Sequence, residues 1–273
     1  MTTLLHISDL HFGTVVDAAL HGLLDVVDAA DPDIIIITGD VTQRGRSSEL
    51  LGFVGLVDKL KPRTVLVVPG NHDVDWWPPW RRLLTPLRGF EEAVPPENRR
   101  PSAVVDDVLF VACGSVDPAR QVGGTMSEEA LRQLTTIIGA TPAAVRVAFT
   151  HHPIALDRPA SRTQVVSNAA AAATSLASAG VDLLLSGHIH VPFALTTQAA
   201  FPSLSRPFVL AGAGTTTSSR TRGLQPRALQ LVHIAPTRID IERFELAVGD
   251  FAFAVASTSH FAREDGGWHQ TER

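Results

Sequence analysis

Five apolar runs in this chain each break off at a cluster of His, Asp or Asn, and that repetition constrains the fold more than any other feature. The runs "TTLLHIS", "DIIIIT", "TVLVVP", "VRVAFT" and "VDLLLS" lead into Asp9-Leu-His11, Gly39-Asp40, Gly70-Asn71-His72-Asp73, His151-His152-Pro153 and Gly187-His188-Ile-His190. Their hydrophobicity is continuous, not alternating, so both faces of each strand are buried, as in a sheet covered on two sides. A sixth run, "VLFVACG", reads the same way. Stretches of helical spacing lie between, at Asp17 to Ala30, Ser47 to Leu60, Ser127 to Ile138 and Asn168 to Ala179. Strands alternating with helices predict parallel pairing. Ser127 is placed to cap the third helix, with Glu128 and Glu129 complementing the dipole in its first turn.

Beyond residue 190 the pattern changes to strands without intervening helices, "FALTT", "PFVLAGAG", "ALQLVHI", "RIDIERFEL" and "FAFAVAST", which read as a second, largely antiparallel sheet. Two mixed sheets flanked by helices bury every apolar face as a four-layer α/β/β/α sandwich. Residues 1–261 are expected to form one domain. Within it, residues 76–103 combine three Trp, several Pro and five Arg and read as a cap over the strand ends. Residues 262–273 lack periodicity and read as a frayed tail.

No apolar run is long enough to span a bilayer, and the N-terminal segment lacks the basic start and cleavage site of a signal peptide, so a soluble cytoplasmic protein with no membrane partner is expected. The net charge of −5 gives no general attraction to nucleic acid, although a local basic patch is not excluded. Cys113, the lone cysteine, sits inside an apolar run and is read as buried and inert.

The carboxyl ends of parallel strands share one edge, so the five clusters converge there from topology alone. Six of the eleven histidines lie in them, and their partners are Asp and Asn instead of Cys. Imidazole with oxygen ligands suits Mn, Fe or Zn with open positions and disfavours a closed structural zinc site. Asp9, His11, Asp40, Asn71, His151, His188 and His190 are too many ligands for one catalytic ion. If Asp40 bridges, they divide as Asp9, His11, Asp40 and His190 around one ion and Asp40, Asn71, His151 and His188 around a second. Two ions about 3.5–4 Å apart can bind a bridging hydroxide that attacks phosphorus in line. A single D-x-H or G-D is ordinary turn chemistry; five such clusters at five strand ends are not.

The ordered set D-x-H, G-D, G-N-H-D, H and G-H-x-H, running from Asp9 to His190, resembles the calcineurin-like metallophosphoesterases. In appearance it is most similar to their class III cyclic nucleotide phosphodiesterases and related glycerophosphodiesterases. The resemblance implies the four-layer sandwich and the ligand division above. It also implies that His72 contacts the phosphoryl group or protonates the leaving alcohol, with Asp73 orienting His72. "GDVTQRG" resembles the G-D-x-x-x-R-G of the family's protein phosphatases and would bring Arg44 near phosphate. His152 and Trp76 are further candidates for substrate contact, Trp76 by stacking on a nucleobase; the competing roles are packing for His152 and anchoring of the cap for Trp76. A small phosphodiester, nucleotides included, is the expected substrate. Phosphomonoesterase, nuclease and non-catalytic scaffold are the alternatives. Relatives of this kind often dimerise, and the "FAFAVAS" strand offers an edge for a homodimer.

Overall fold

The computed structural model describes residues 1–75, 79–120, 122–158, 160–161, 163–223, 225–247, 249–250 and 252–272. Strands β1 (Thr2–Ile7), β2 (Ile34–Ile37) and β3 (Thr64–Val67) pair in parallel, separated by helices α1 (Asp17–Ala30) and α2 (Ser47–Leu60). The four consecutive isoleucines of β2 show why continuous hydrophobicity was needed. Successive strand side chains point to opposite faces, so Ile34 and Ile36 join the core between the sheets, while Ile35 and Ile37 join the core beneath α1 and α2.

The chain then forms α3 (Pro79–Leu84) and α4 (Arg88–Ala93), followed by β4 (Ser102–Val105) and β5 (Val108–Ala112). Helix α5 (Glu128–Ala140) starts as expected, with Ser127 Oγ accepting the Ala130 amide at 3.1 Å. After β6 (Val145–Phe149) come α6 (Ala169–Ala179), β7 (Leu183–Ser186), β8 (Phe193–Thr196) and β9 (Val209–Gly212). Strands β10 (Arg227–Ala235), β11 (Arg238–Leu246), β12 (Ala254–Glu264) and β13 (Gly267–Thr271) complete the chain.

The sheets run β13-β12-β11-β10-β1-β2-β3 and β4-β5-β6-β7-β9-β8. Together with the flanking helices they make the four-layer sandwich of two mixed sheets. The C-terminal strands do not form a sheet of their own, contrary to expectation. Instead β10 pairs antiparallel with β1, and β9 lies parallel to β7. Each sheet thereby gains the strands it needs to cover the shared core.

Two further expectations are corrected. Residues 262–272 do not fray: β12 and β13 form a hairpin, and Trp268 is fully buried with Nε1 donating to Asp182 Oδ1 at 2.9 Å. The two-residue link Asp265-Gly266, with φ of 48° and 81°, is the Asp-Gly hairpin signal that overall polarity concealed. Much of the segment 76–103 is also not a cap. Phe90 and Val94 are buried in the core beneath α2, Asn98 donates to the Val65 carbonyl of β3, and β4 extends the second sheet. Among the described residues of this segment, α3 projects furthest, with Leu83 and Leu84 exposed and Arg82 donating to the Pro118 carbonyl. Cys113 is buried, and burial pushes its thiol up to about 12. Among the described residues, no helix is long and apolar enough to cross a membrane.

Candidate metal centre

Ligand candidates from both sheets meet where their parallel strands end. Asp9 and His11 follow β1, Asp40 follows β2, Asn71 to Asp73 form a tight turn after β3, His151 and His152 follow β6, and His188 and His190 follow β7. Asp9, His11, Asp40, His188 and His190 all adopt positive φ, between 47° and 73°. For residues with a Cβ this conformation costs on the order of 1–3 kcal/mol each and persists only where surroundings enforce it. Glycines clear the space. A Cβ on Gly70 would stand 2.2 Å from Asp40 Oδ1, and one on Gly187 would stand 2.6 Å from Asp9 Oδ2.

Asp9, His11, Asp40 and His190 form one buried group whose candidate ligand atoms lie within 4.8 Å of one another. His11 Nδ1 donates to the Thr42 carbonyl at 3.2 Å and His190 Nδ1 to the Arg220 carbonyl at 2.5 Å. Those acceptors leave each Nε2 as the lone-pair atom, and the two Nε2 atoms face each other at 3.1 Å. Asp9 Oδ1 is buried and accepts no hydrogen bond, although His190 Nε2 is 3.2 Å away. An orphaned carboxylate oxygen opposite two imidazole lone pairs is satisfied by a cation, so these residues fit a metal ion. Burial penalises the Asp9 charge, but the neighbouring His190, His151 and His11 outweigh it and hold Asp9 well below the usual carboxylate range. Burial likewise opposes a charged His190, yet Asp9 raises it above its ordinary value. The pocket attracts positive charge.

The second group gathers on Asn71. His151 Nε2 and His188 Nδ1 lie 3.2 and 3.1 Å from its Oδ1. Their other nitrogens donate to backbone carbonyls, His151 Nδ1 to Thr38 at 2.7 Å and His188 Nε2 to Thr163 at 2.9 Å. Burial lowers both histidines, His188 to about 4, which keeps them neutral ligands near pH 7. Asp40 spans the two groups, with Oδ2 3.8 Å from His11 Nε2 and Oδ1 3.4 Å from His151 Nε2. Burial raises its pKa, with Asp9 adding to the shift.

His72 borders this centre, its ring meeting that of His11 edge-on at 4.9 Å. Its Nδ1 donates to the Gln43 carbonyl at 2.8 Å and its amide to Asp40 Oδ1. The expectation that Asp73 orients His72 is therefore corrected. The Asp73 carboxylate instead accepts the amides of Gly70, Val41 and Thr42 and the Thr42 hydroxyl, tying the β2 and β3 loops together. Burial, then repulsion from Asp40, raises it to about 6.

His152 is fully buried against His151 and His188, which corrects the expectation of an open substrate contact; Nδ1 pairs with Ser115 Oγ, Nε2 has no hydrogen-bond partner among the described residues, and the three histidines form a second group whose candidate ligand atoms lie within 4.8 Å of one another. Arg44 is exposed and lines a cleft of about 1010 Å³ beside His72, together with Gln43, Asp75 and Arg81. Trp76 lies outside the described residues.

Sequence reading named Arg220, Arg222 and Arg227, following β9, as arginines that could meet a phosphate, but missed the support that the hydroxyls of the loop after β9 give the centre. Thr215 and Thr217 hydroxyls donate to the carbonyls of Asp9 and Leu10 at 2.7 and 2.9 Å, the Thr216 amide donates to the Ser8 carbonyl, and the Thr14 and Ser218 hydroxyls pair. The only signal was "GAGTTTSSR", a hydroxyl-rich run directly after an apolar strand.

Fold and site together define a hydrolase-like scaffold with a two-group His/Asp centre. The family model described as calcineurin-like phosphoesterase matches residues 2–192, and the chain belongs to that family. A curated relative, "Probable glycerophosphodiester phosphodiesterase GpdQ" of Arcobacter nitrofigilis, is 32% identical over 124 residues, covering 45% of this chain and 42% of the relative. Purple acid phosphatase PPD1 from yellow lupin (Lupinus luteus) seeds superposes with a TM-score of 0.70 at 12% identity, covering 97% of this chain and 54% of that one. PhoD superposes with a TM-score of 0.73 at 11% identity, covering 99% and 71%. At such identities the structural likeness is one of fold. The chain spans about half the length of the curated relative and of the lupin protein.

Proposed function

We propose that this protein hydrolyses phosphodiesters with the help of two metal ions, one held by Asp9, His11, Asp40 and His190 and the other by Asp40, Asn71, His151 and His188. The reading rests on Asp40, whose two oxygens face histidines of different groups. Bound cations of this kind supply Lewis acidity to a phosphoryl oxygen and acidify water. The chain's residues do the rest. Carbonyls of Thr42, Arg220, Thr38 and Thr163 fix the ligand tautomers, so the ring nitrogens are presented without rearrangement. His72, held through Nδ1 on Gln43, keeps Nε2 as a proton acceptor; it takes the proton of the attacking water as that oxygen bonds to phosphorus and passes it to the alcohol oxygen as the ester P–O bond breaks.

Diesters are favoured over monoesters by the similarity to a probable glycerophosphodiester phosphodiesterase. Mn, Fe and Zn all suit the donor set. Comparing bis-p-nitrophenyl phosphate with p-nitrophenyl phosphate in Mn-loaded protein tests the reading. A higher kcat/KM for the diester is expected; a clear preference for the monoester overturns the diester assignment, and failure to hydrolyse either overturns the whole reading.

A further inference from the structure

Arg220 belongs to none of the clusters at the strand ends, yet it meets the site twice. Its carbonyl accepts His190 Nδ1. Its guanidinium, on an exposed side chain, places Nη1 3.3 Å from His72 Nε2 and 3.2 Å from Gln43 Oε1. Because His72 Nδ1 donates to the Gln43 carbonyl, Nε2 is the lone-pair atom and the guanidinium is the donor. Both contacts use Nη1, and Nε and Nη2 have no partner among the described residues. The backbone beneath is fixed, since the Arg220 amide donates to Ser218 Oγ at 3.0 Å and Ser218 pairs with Thr14.

We propose that Arg220 is the phosphate-binding cation of this site. The assignment rests on the phosphoesterase reading given above. A guanidinium is charged at every working pH, and its planar fork matches two phosphoryl oxygens. Phosphoryl transfer spreads negative charge over those oxygens, and a cation placed there before reaction is worth most. In the resting protein Nη1 occupies His72 Nε2. When the phosphoryl group takes up the guanidinium, Nε2 is released to accept the proton of the attacking water and pass it to the leaving alcohol, so one ligand arms both groups. Arg44, the arginine the sequence favours, has its backbone amide engaged on Glu49 and, among the described residues, no side-chain hydrogen bond; its side chain lies on the cleft wall.

Replacing the side chain leaves the carbonyl that holds His190, which separates ligand binding from metal binding. The experiment is calorimetric titration of inorganic phosphate into Mn-loaded wild type, Arg220→Ala and Arg220→Lys, with metal content and Tm measured alongside. Arg220→Ala is expected to retain its metal and Tm, to bind phosphate at least about tenfold more weakly, and to lose about 10²-fold in kcat/KM, with Arg220→Lys recovering part. Unchanged phosphate affinity, or loss of metal from Arg220→Ala, overturns the assignment. The titration needs no turnover. Arg220-dependent phosphate binding by a protein that cleaves no ester would support this assignment and sink the phosphoesterase reading.

Discussion

The backbone turns left-handed at Asp265 between β12 and β13, and equally at Asp9, His11 and Asp40 beside the metal centre, but the two regions hold that conformation by different means. At Asp265 the cause is local. A two-residue Asp-Gly link suits the twist of the strands it joins. At Asp9 and Asp40 the cause is distant. Thr215 and Thr217 grip the first loop from more than two hundred residues away, and Asp73 grips the second through the amides of Val41 and Thr42 and the Thr42 hydroxyl. Strain at the centre is thus enforced from outside, which is how ligands stay aimed before any cation arrives.

Breaking the outside supports should therefore cost the metal centre more than breaking the local turn. Asp73→Ala leaves three amides and a hydroxyl without their acceptor in a buried setting, and is expected to lower stability by on the order of 3 kcal/mol; urea unfolding measures it, and a loss below about 1 kcal/mol would show that the loops hold themselves. Thr215→Val removes one hydroxyl donor at nearly constant volume. It should cost about 1 kcal/mol of stability and weaken metal binding about 10–100-fold, as loss of a supporting contact does, read by competition with a chelator. Asp265→Ala is expected to cost about 1 kcal/mol, the penalty of a left-handed Ala, with metal binding and turnover unchanged. A defect in either would mean that the hairpin is coupled to the site.

The same contrast explains what the sequence disclosed. The ranges of α1 and α2 and the places of the parallel strands follow from periodicity and from apolar runs bounded by ligand clusters, since those signals are local. The seven ligand candidates were legible because each ends a strand and the strand ends converge by topology. Partners supplied across the fold were not legible. Nothing in the neighbourhood of Asp73 says that its carboxylate faces amides of another loop rather than the adjacent His72, and nothing near Arg220 says that its carbonyl meets His190. Trp268 was misjudged for a related reason: its burial depends on the Asp182 carboxylate, which also receives Arg206 and Arg263. A polar-looking tail can be pinned by one aromatic ring and a buried ion cluster.

The central claim, two cations sharing Asp40, is tested most directly by metal analysis of protein purified without chelator and reconstituted with Mn, comparing wild type with Asp40→Ala. Two ions per chain in wild type and fewer than one in a folded Asp40→Ala protein is the result this geometry predicts. Wild type that takes up no ion, or Asp40→Ala that keeps two, would contradict it.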